Sequence, residues 1–386
     1  MNVLFLLRLW PVYGGGETVT IRLANGMIQK GWQVSVAYFK DSVKKDALCV
    51  DSRINLFRID GVDCNEFEAD ASCGQYVQDN VVRVIKENNI DVVINQWWPV
   101  YYIDRLKSET KAKIITCLHQ AFYTPSFSGA GISSIAKKLF PPLYKAYKKA
   151  KAVNAVCDYL PFVDKYIFLS PLFQKQFMDF ANYTDNEDKL GAIPNPLVYD
   201  VNTTEYELEN KENIVLLVGR MLEGQKRITR AIRIWKMIET DNELNGWRFV
   251  VVGEGPDLPL YKKMAHKFRL QRISFEGYQN PLPYYKRAKI FMMTSAFEGF
   301  PMTLVEAQQC GVVPVVMDSY LSLHDIVEDG VNGVITSNGD VPMFARKLSS
   351  LMKDDTFRLG MAVNALETSK KFNLDNILKK WEVYIR

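Results

Sequence analysis

Two glutamates, Glu298 and Glu306, stand eight positions apart in the stretch EGFPMTLVEA, which follows the short apolar run KIFMMTS. The apolar run predicts a buried strand. Carboxylates accept hydrogen bonds from vicinal hydroxyl groups, so the two glutamates are suited to hold a sugar or a ribose. Glu306 has a simpler interpretation as well, because Thr303 and Glu306 match the Thr-x-x-Glu capping box of a helix start. That interpretation leaves Glu298 without a role.

Two cations, Arg220 and Lys226, follow another apolar run, NIVLLVG at 213–219. Open parallel sheets bind ligands at the carboxyl ends of their strands, and an arginine with a lysine at such a place suits a diphosphate. The alternative is that Lys226 and Arg227 are solvated charges at a helix start. Basic residues are unfavourable there because the N-terminal end of the helix dipole is positive, and this favours the ligand-binding interpretation.

A glycine cluster, Gly14 to Gly16, lies between the first apolar run, NVLFLLR, and a segment of helical spacing. Glycines at a strand-to-helix turn let the backbone approach a ligand, and the first amides of a helix favour an anion. The letters GGGE lack the GxGxxG spacing of a dinucleotide site, so a tight turn without a ligand is the alternative.

Short apolar runs alternate with longer segments of helical spacing, which is typical of parallel sheets in α/β proteins. Five runs lie in each half, enough for two doubly wound sheets. The polar stretch 194–213, with two prolines, is predicted to link two domains, and 370–386 is predicted to form a helix that docks elsewhere. The ten runs are 2–8, 33–39, 91–96, 113–119, 165–170, 213–219, 248–253, 272–277, 289–295 and 312–318.

The composition indicates an ordinary folded protein. The chain has 386 residues, of which 48% are apolar and 24% charged, and a net charge of +4 that does not argue for nucleic acid as a partner. Its six cysteines include no CxxC pair and are predicted to be reduced thiols. The start, MNVLFLLRLW, is interpreted as a strand rather than a signal peptide, and no apolar run reaches the roughly 20 residues that span a bilayer. We therefore expect a cytoplasmic protein.

The stretch 136–153 carries six lysines and no acidic residue, interleaved with apolar side chains. This pattern favours a helix that lies on a membrane surface, attracted to anionic head groups. The alternative is a solvated helix whose apolar face packs on its own domain. The first interpretation points to a lipid-linked acceptor and to a peripheral location on the inner face of the cell membrane. The apolar positions are Leu139, Phe140, Leu143, Tyr144 and Tyr147.

The stretch EGFPMTLVEAQQCGVVPVV, with VGRMLEGQK, the N-terminal GGGE and the terminal NLDNILKKWEVY, resembles the family-four retaining glycosyltransferases of the GT-B fold, of the bacterial surface-polysaccharide type. The resemblance covers essentially the whole chain. It implies two Rossmann-like α/β domains, each with a doubly wound parallel sheet, that face a central cleft. The implied bounds are 1–196 for an acceptor-binding domain, 197–370 for a sugar-nucleotide-binding domain, and 371–386 for a helix that crosses back to the first domain.

The same resemblance implies roles for the candidate residues. Arg220 and Lys226 would grip the diphosphate of the donor and stabilise the leaving group. Glu298 would lie beside the donor sugar, Glu306 would bind the ribose hydroxyls, and His119, which ends the run KIITCLH, would lie near the transferred sugar. All five except Glu306 are expected to act in catalysis. The other implied donor-binding positions are Gly15, Gly16, Gly299, Phe300, Pro301, Met302 and Thr303.

The implied reaction is a hexosyl transfer, with retention of anomeric configuration, from a nucleotide-diphosphate sugar to a hydroxyl of a glycan or lipid-linked glycan, in polysaccharide, O-antigen or capsule assembly. UDP is the expected nucleotide, and neither a metal nor a cofactor beyond the sugar nucleotide is expected. Two alternatives stay open: a sugar-nucleotide epimerase on the same scaffold, and a non-catalytic sugar-nucleotide-binding assembly protein. An oxidoreductase is disfavoured because the chain lacks a dinucleotide fingerprint.

Overall fold

The computed structural model describes residues 1–11, 15–41, 49–62, 71–96, 98–124, 141–184 and 186–385. The chain divides into two compact units. The first unit holds the described residues up to Val198 and also the C-terminal segment from Asn373, whereas the second unit runs from Tyr199 to Phe372. The two crossings between units lie two residues from the boundaries at 196/197 and 370/371 that the resemblance implies.

A parallel sheet of seven strands forms the centre of the first unit. The strands are β1 (Asn2–Leu6), β3 (Gln33–Tyr38), β5 (Asn55–Arg58), β6 (Val92–Asn95), β7 (Lys113–Cys117), β8 (Lys165–Phe168) and β9 (Leu190–Ala192), with a separate short pair of β2 (Leu9–Trp10) and β4 (Lys40–Asp41). Their order is β5-β3-β1-β6-β7-β8-β9. Every neighbouring pair is parallel, and β1 is buried along Val3–Leu6, as expected of a strand covered on both faces.

Helices cover this sheet, and the last of them comes from the far end of the chain. Leu374 and Leu378 of that helix pack on Gly26, where an added Cβ would lie 2.8 Å from Leu374 Cδ2. The ring of Tyr384 lies even closer to Gly191, where an added Cβ would be 2.5 Å from Tyr384 Cε1. From Leu374 onwards, the apolar stripe predicted for 370–386 is thus the face that packs on the rest of the first unit. The helices are α1 (Gly15–Gln29), α2 (Gly74–Glu87), α3 (Leu106–Glu109), α4 (Pro141–Cys157), α5 (Pro171–Ala181) and the C-terminal α14 (Leu374–Ile385).

The second unit contains a parallel sheet of six strands in the order β12-β11-β10-β13-β14-β15, defined as β10 (Glu212–Val218), β11 (Arg248–Val252), β12 (Ile273–Gly277), β13 (Ala288–Met293), β14 (Val313–Asp318) and β15 (Val334–Ser337). One buried cluster, which includes Trp235, Phe249 and Phe344, joins this sheet to its helices. The helices are α6 (Glu205–Glu209), α7 (Glu223–Lys226), α8 (Ile228–Ile238), α9 (Leu258–Lys267), α10 (Leu282–Arg287), α11 (Met302–Gln309), α12 (Val341–Lys353) and α13 (Asp355–Ser369).

The predicted α/β architecture with two parallel sheets is therefore confirmed. Among the helices that the structure describes, none is both long and apolar enough to cross a bilayer. Cys64 lies outside the described residues, and the other five cysteines are free thiols.

Candidate functional site

An ion pair joins Lys226, the last residue of α7, to Glu298, in the loop that follows β13. Lys226 Nζ lies 2.7 Å from Glu298 Oε1, and Gln225 Nε2 donates a hydrogen bond to Glu298 Oε2 at 3.2 Å. The side chains of the lysine and the glutamate are only 15% and 8% exposed. Two candidates that stand 72 positions apart in the sequence are thus in direct contact. The interpretation of Lys226 as a solvated charge at a helix start is wrong, because its side chain is only 15% exposed, is paired with Glu298, and belongs to the last residue of α7.

Hydrogen bonds from the end of β13 hold the Lys226 loop in place. Thr294 Oγ1 donates to the carbonyl oxygens of Lys226 and Arg227, each at 3.1 Å, and the amide of Ala296 donates to the carbonyl of Gln225 at 2.6 Å. Arg227 adopts the left-handed conformation, with φ of 52°, and there the chain turns from α7 into α8. The Thr294 hydroxyl and the Ala296 amide therefore position the backbone that carries Lys226.

A close backbone contact supports the segment that carries Arg220. Gly253 follows β11 with φ of 137°, and a Cβ added there would lie 2.0 Å from the carbonyl oxygen of Gly219. The amide of Met221 donates to the carbonyl of Glu254 at 2.8 Å. A glycine is required at 253 because any side chain would push this loop away from the segment 219–221.

Arg220 itself is exposed, two positions after the end of β10. Its guanidinium forms no hydrogen bond or ion pair with any residue that the structure describes. Lys226 lies nearby along the chain, and its aliphatic stem crosses Gly219, where an added Cβ would be 3.2 Å from Lys226 Cε. The segment after β10 thus presents one exposed guanidinium, of Arg220, and one largely covered ammonium, of Lys226.

Glu306 lies inside α11 and is 8% exposed. Its Oε2 accepts a hydrogen bond from the hydroxyl of Tyr285 at 3.1 Å. Burial raises the pKa of Glu306 to about 7, and the hydrogen bond from Tyr285 partly opposes this rise. The capping-box interpretation is wrong, because α11 begins at Met302, before Thr303, and carries no side-chain cap.

The stretch 299–303 leads into α11, and two of its apolar side chains are turned inward. Phe300 is 7% exposed and packs on Phe372 at 5.3 Å between ring centroids, and Met302 is also buried. Pro301 immediately precedes the helix. With these side chains buried, the backbone of the stretch is the part suited to contact a ligand.

The remaining candidates belong to the first unit. Gly15 and Gly16 begin α1, while Gly14 lies outside the described residues. His119 follows β7 by two positions, and burial lowers its pKa to about 4, so its imidazole is neutral at pH 7. Of the lysine-rich stretch 136–153, residues 136–140 lie outside the described residues and the rest belong to α4.

Sequence reasoning missed Gln225 and Tyr285. Gln225 precedes Lys226 directly, so its place in the motif VGRMLEGQK was a usable signal. Tyr285 lies 21 positions before Glu306 in another helix, and no spacing rule connects the two. In the described part of the chain, no group of three or more His, Cys, Asp or Glu side chains is arranged to hold a metal ion.

Comparison with known proteins gives two family matches, one in each half. Residues 13–161 match the model "Glycosyltransferase Family 4", and residues 200–368 match "Glycosyl transferases group 1". The amylovoran biosynthesis glycosyltransferase AmsD of Erwinia amylovora is 28% identical over 173 residues, which cover 44% of this chain and 47% of AmsD. The lipopolysaccharide 1,6-galactosyltransferase of Salmonella typhimurium is 26% identical over 203 residues, or 51% and 54% of the two chains. The matches thus span about half the length of these curated relatives.

A solved structure resembles the whole chain in fold. The structure of HepE from Anabaena in complex with UDP and glucose has a TM-score of 0.70 and 18% sequence identity, and the match covers 100% of this chain and 99% of HepE. This likeness extends over both parallel sheets. Together with the two family models, it shows that the chain belongs to the family-four glycosyltransferases of the GT-B fold.

Proposed function

We propose that the chain is a retaining, metal-independent glycosyltransferase. It transfers a sugar from a UDP-sugar to a hydroxyl of a glycan or lipid-linked glycan during the assembly of a cell-surface polysaccharide. The observation that carries the proposal is the buried pair of Lys226 and Glu298 beside the exposed Arg220 at the end of β10. The names of AmsD and of the Salmonella galactosyltransferase support a role in the assembly of a cell-surface polysaccharide. The UDP in the HepE complex supports UDP as the nucleotide of the donor.

The second unit binds the donor through these three side chains. An ammonium group has three donors, and Lys226 directs one at Glu298, which leaves two for diphosphate oxygens. Arg220 adds a planar guanidinium that can engage two oxygens at once. Both cations stabilise the charge that develops on the departing diphosphate. Glu298 keeps lone pairs for hydroxyls of the donor sugar, and Glu306 accepts from the ribose.

The first unit binds the acceptor, and the resemblance to the family assigns its His119 a role in the transfer. Because the imidazole is neutral at pH 7, it acts as a hydrogen-bond partner rather than as a cation. The anomeric configuration is retained because the acceptor oxygen attacks the anomeric carbon from the same face from which the leaving group departs. The acceptor oxygen forms a bond to the anomeric carbon, the bond from that carbon to the diphosphate oxygen breaks, and the acceptor proton passes to the departing diphosphate.

The acceptor is proposed to lie at the inner face of the cell membrane, where α4 contacts anionic lipid. Leu143 and Tyr147 of this helix are 68% and 61% exposed, and they share one face because they are four positions apart. The alternative, in which the apolar face packs on its own domain, does not hold for these two side chains. Lys145 and Lys151 are exposed on the same helix and complement acidic head groups.

Calorimetric titration with UDP, GDP and ADP tests the donor site. We expect the wild type to prefer UDP and Arg220→Ala to lose at least about tenfold in UDP affinity, since a charge-assisted hydrogen bond contributes about 1.5–3 kcal/mol. Arg233→Ala, which removes an exposed arginine from α8, is the matched control and should bind as the wild type. Lys226→Ala is less informative because it would leave the buried Glu298 unpaired.

The outcomes separate the proposed activity from its alternatives. If the wild type bound none of the three nucleotides, the proposed donor site would be wrong. If UDP binds but the Arg220 and Arg233 variants lose the same amount of affinity, Arg220 does not belong to the donor site. If UDP binds, conversion of a UDP-sugar to its epimer without an added acceptor would favour the epimerase, whereas release of UDP that depends on an added glycan supports transfer.

A further inference from the structure

The carboxylate of Glu306 has a second-layer partner that is itself rigidly held. Tyr285 is 0% exposed, and its ring packs 6.2 Å from that of Phe291 on β13. Lys211 Nζ donates to the carbonyl oxygens of Tyr285 and Lys286, at 2.9 and 2.8 Å, and thereby fixes the end of α10. The hydroxyl of Tyr285 has little freedom to leave the oxygen that it contacts.

This contact makes the two oxygens of Glu306 different. Oε2 accepts the hydrogen bond from Tyr285, whereas Oε1 forms no hydrogen bond with any residue in the described ranges. The neighbouring titratable side chains, Tyr199 and Cys310, both have a raised pKa through burial and are uncharged at pH 7. The tyrosine hydroxyl is therefore the described group whose hydrogen bond favours the ionised carboxylate.

We propose that Tyr285 is a positioning residue of the nucleotide site: it holds Oε2 of Glu306 so that Oε1 faces, and accepts from, a ribose hydroxyl of the nucleoside diphosphate. The inference rests on the proposed function, because it requires Glu306 to bind the ribose. It explains how a buried glutamate can distinguish ribose from a deoxyribose. Without the tyrosine hydroxyl, the carboxylate would be free to rotate and would more readily take up a proton.

The test compares the affinity for UDP with the affinities for 2′-deoxy-UDP and 3′-deoxy-UDP, measured by calorimetry. The ratio between UDP and its weaker-binding deoxy analogue reports the ribose contact, and it is insensitive to a fraction of unfolded protein. We expect a ratio of about ten or more for the wild type. Tyr285→Phe should lower the ratio by about threefold or more, while Tyr284→Phe, which removes a hydroxyl from the neighbouring residue of the same helix, should keep it.

Three results would overturn the proposal, and each points to a different error. A wild-type ratio retained in Tyr285→Phe would show that the tyrosine does not position Glu306. Equal binding of UDP and both deoxy analogues by the wild type would show that Glu306 does not contact the ribose, although the donor site at Arg220 would stand. Absence of UDP binding by the wild type would contradict the proposed function itself.

Discussion

At the scale of single residues, Glu306 is subject to opposing demands from stability and binding. Its buried carboxyl has a pKa of about 7, above the ordinary value of 4.5, so the fold favours the protonated form. A ribose hydroxyl donates its hydrogen bond to the ionised form. Affinity for UDP is therefore expected to fall as the pH drops through 7, even though the protein itself becomes more stable.

Replacement of this carboxyl by an amide should consequently stabilise the protein at high pH. A raised pKa in the folded state provides stability that is fully present below about 4.5 and is lost as the pH rises through about 7. Glu306→Gln carries no such loss, so we expect it to unfold less readily than the wild type at pH 8, by on the order of 1–3 kcal/mol. The difference should shrink towards zero at pH 5, measured by urea denaturation at both pH values.

The same variant should bind UDP more weakly at pH 8, which separates a binding role from a purely structural one. Glu209→Gln, a change at an exposed glutamate of α6, is the control and should alter neither quantity. A large loss of stability in Glu306→Gln at both pH values would contradict the pKa argument and would mean that the carboxylate supports the fold.

The residue types at this site were predictable from the sequence, but their contacts were not. Arg220, Lys226 and Glu298 follow strands whose carboxyl ends meet at one edge of a parallel sheet, so their approximate grouping follows from the strand pattern. The contact between Lys226 and Glu298 depends on the left-handed turn at Arg227, which no motif specifies. The capping-box error has a similar cause, since the helix starts two residues earlier than the box implies and Glu306 is buried within it.

At the scale of elements, the strands that pair on both sides were predictable from the sequence, whereas three of the four edge strands of the two larger sheets were not. The ten apolar runs correspond to nine strands that pair on both sides and to β12, an edge strand of five residues. β5, β9 and β15 were missed because each pairs on one side only and is short. In β5, three of the four residues are exposed, so its sequence lacks the continuous apolar run that identifies a covered strand.

Three lysines of helix α4 are expected to bind an anionic membrane surface. Lys145→Gln/Lys148→Gln/Lys151→Gln should lower binding to vesicles of phosphatidylglycerol and phosphatidylcholine by roughly 100-fold, because each lysine near an anionic surface contributes about 1 kcal/mol. Lys149 is retained, since its Nζ lies 4.6 Å from the ring centroid of Phe180 and supports packing. Vesicle co-sedimentation measures the effect, and added salt should weaken wild-type binding.

A control variant with the same change in net charge distinguishes a membrane-binding surface on α4 from a general effect of the protein's charge. Lys262→Gln/Lys263→Gln/Lys267→Gln removes three exposed lysines from α9 in the second unit and should leave vesicle binding unchanged. Equal losses in the two triple variants would contradict a membrane role for α4, as would wild-type binding to vesicles of pure phosphatidylcholine.

At the scale of the whole molecule, the course of the chain gives each unit a different set of stabilising contacts. The proposed donor-binding side chains Arg220, Lys226, Glu298 and Glu306 all belong to the second unit. The C-terminal helix α14, although it follows the second unit in sequence, packs on the first. Binding of UDP should therefore change the stability of the second unit, whereas a mutation in α14 should change the stability of the first.

Differential scanning calorimetry can resolve this division as two unfolding transitions. UDP should raise the temperature of one transition only, by binding the second unit. Trp381→Ala removes a side chain that is 3% exposed in α14, so it should lower the other transition by roughly 10 °C, as expected for a loss of about 3–5 kcal/mol. Val383→Ala, at a position 75% exposed in the same helix, should leave both transitions in place. A single transition that responds to both UDP and Trp381→Ala would show that the two units unfold together.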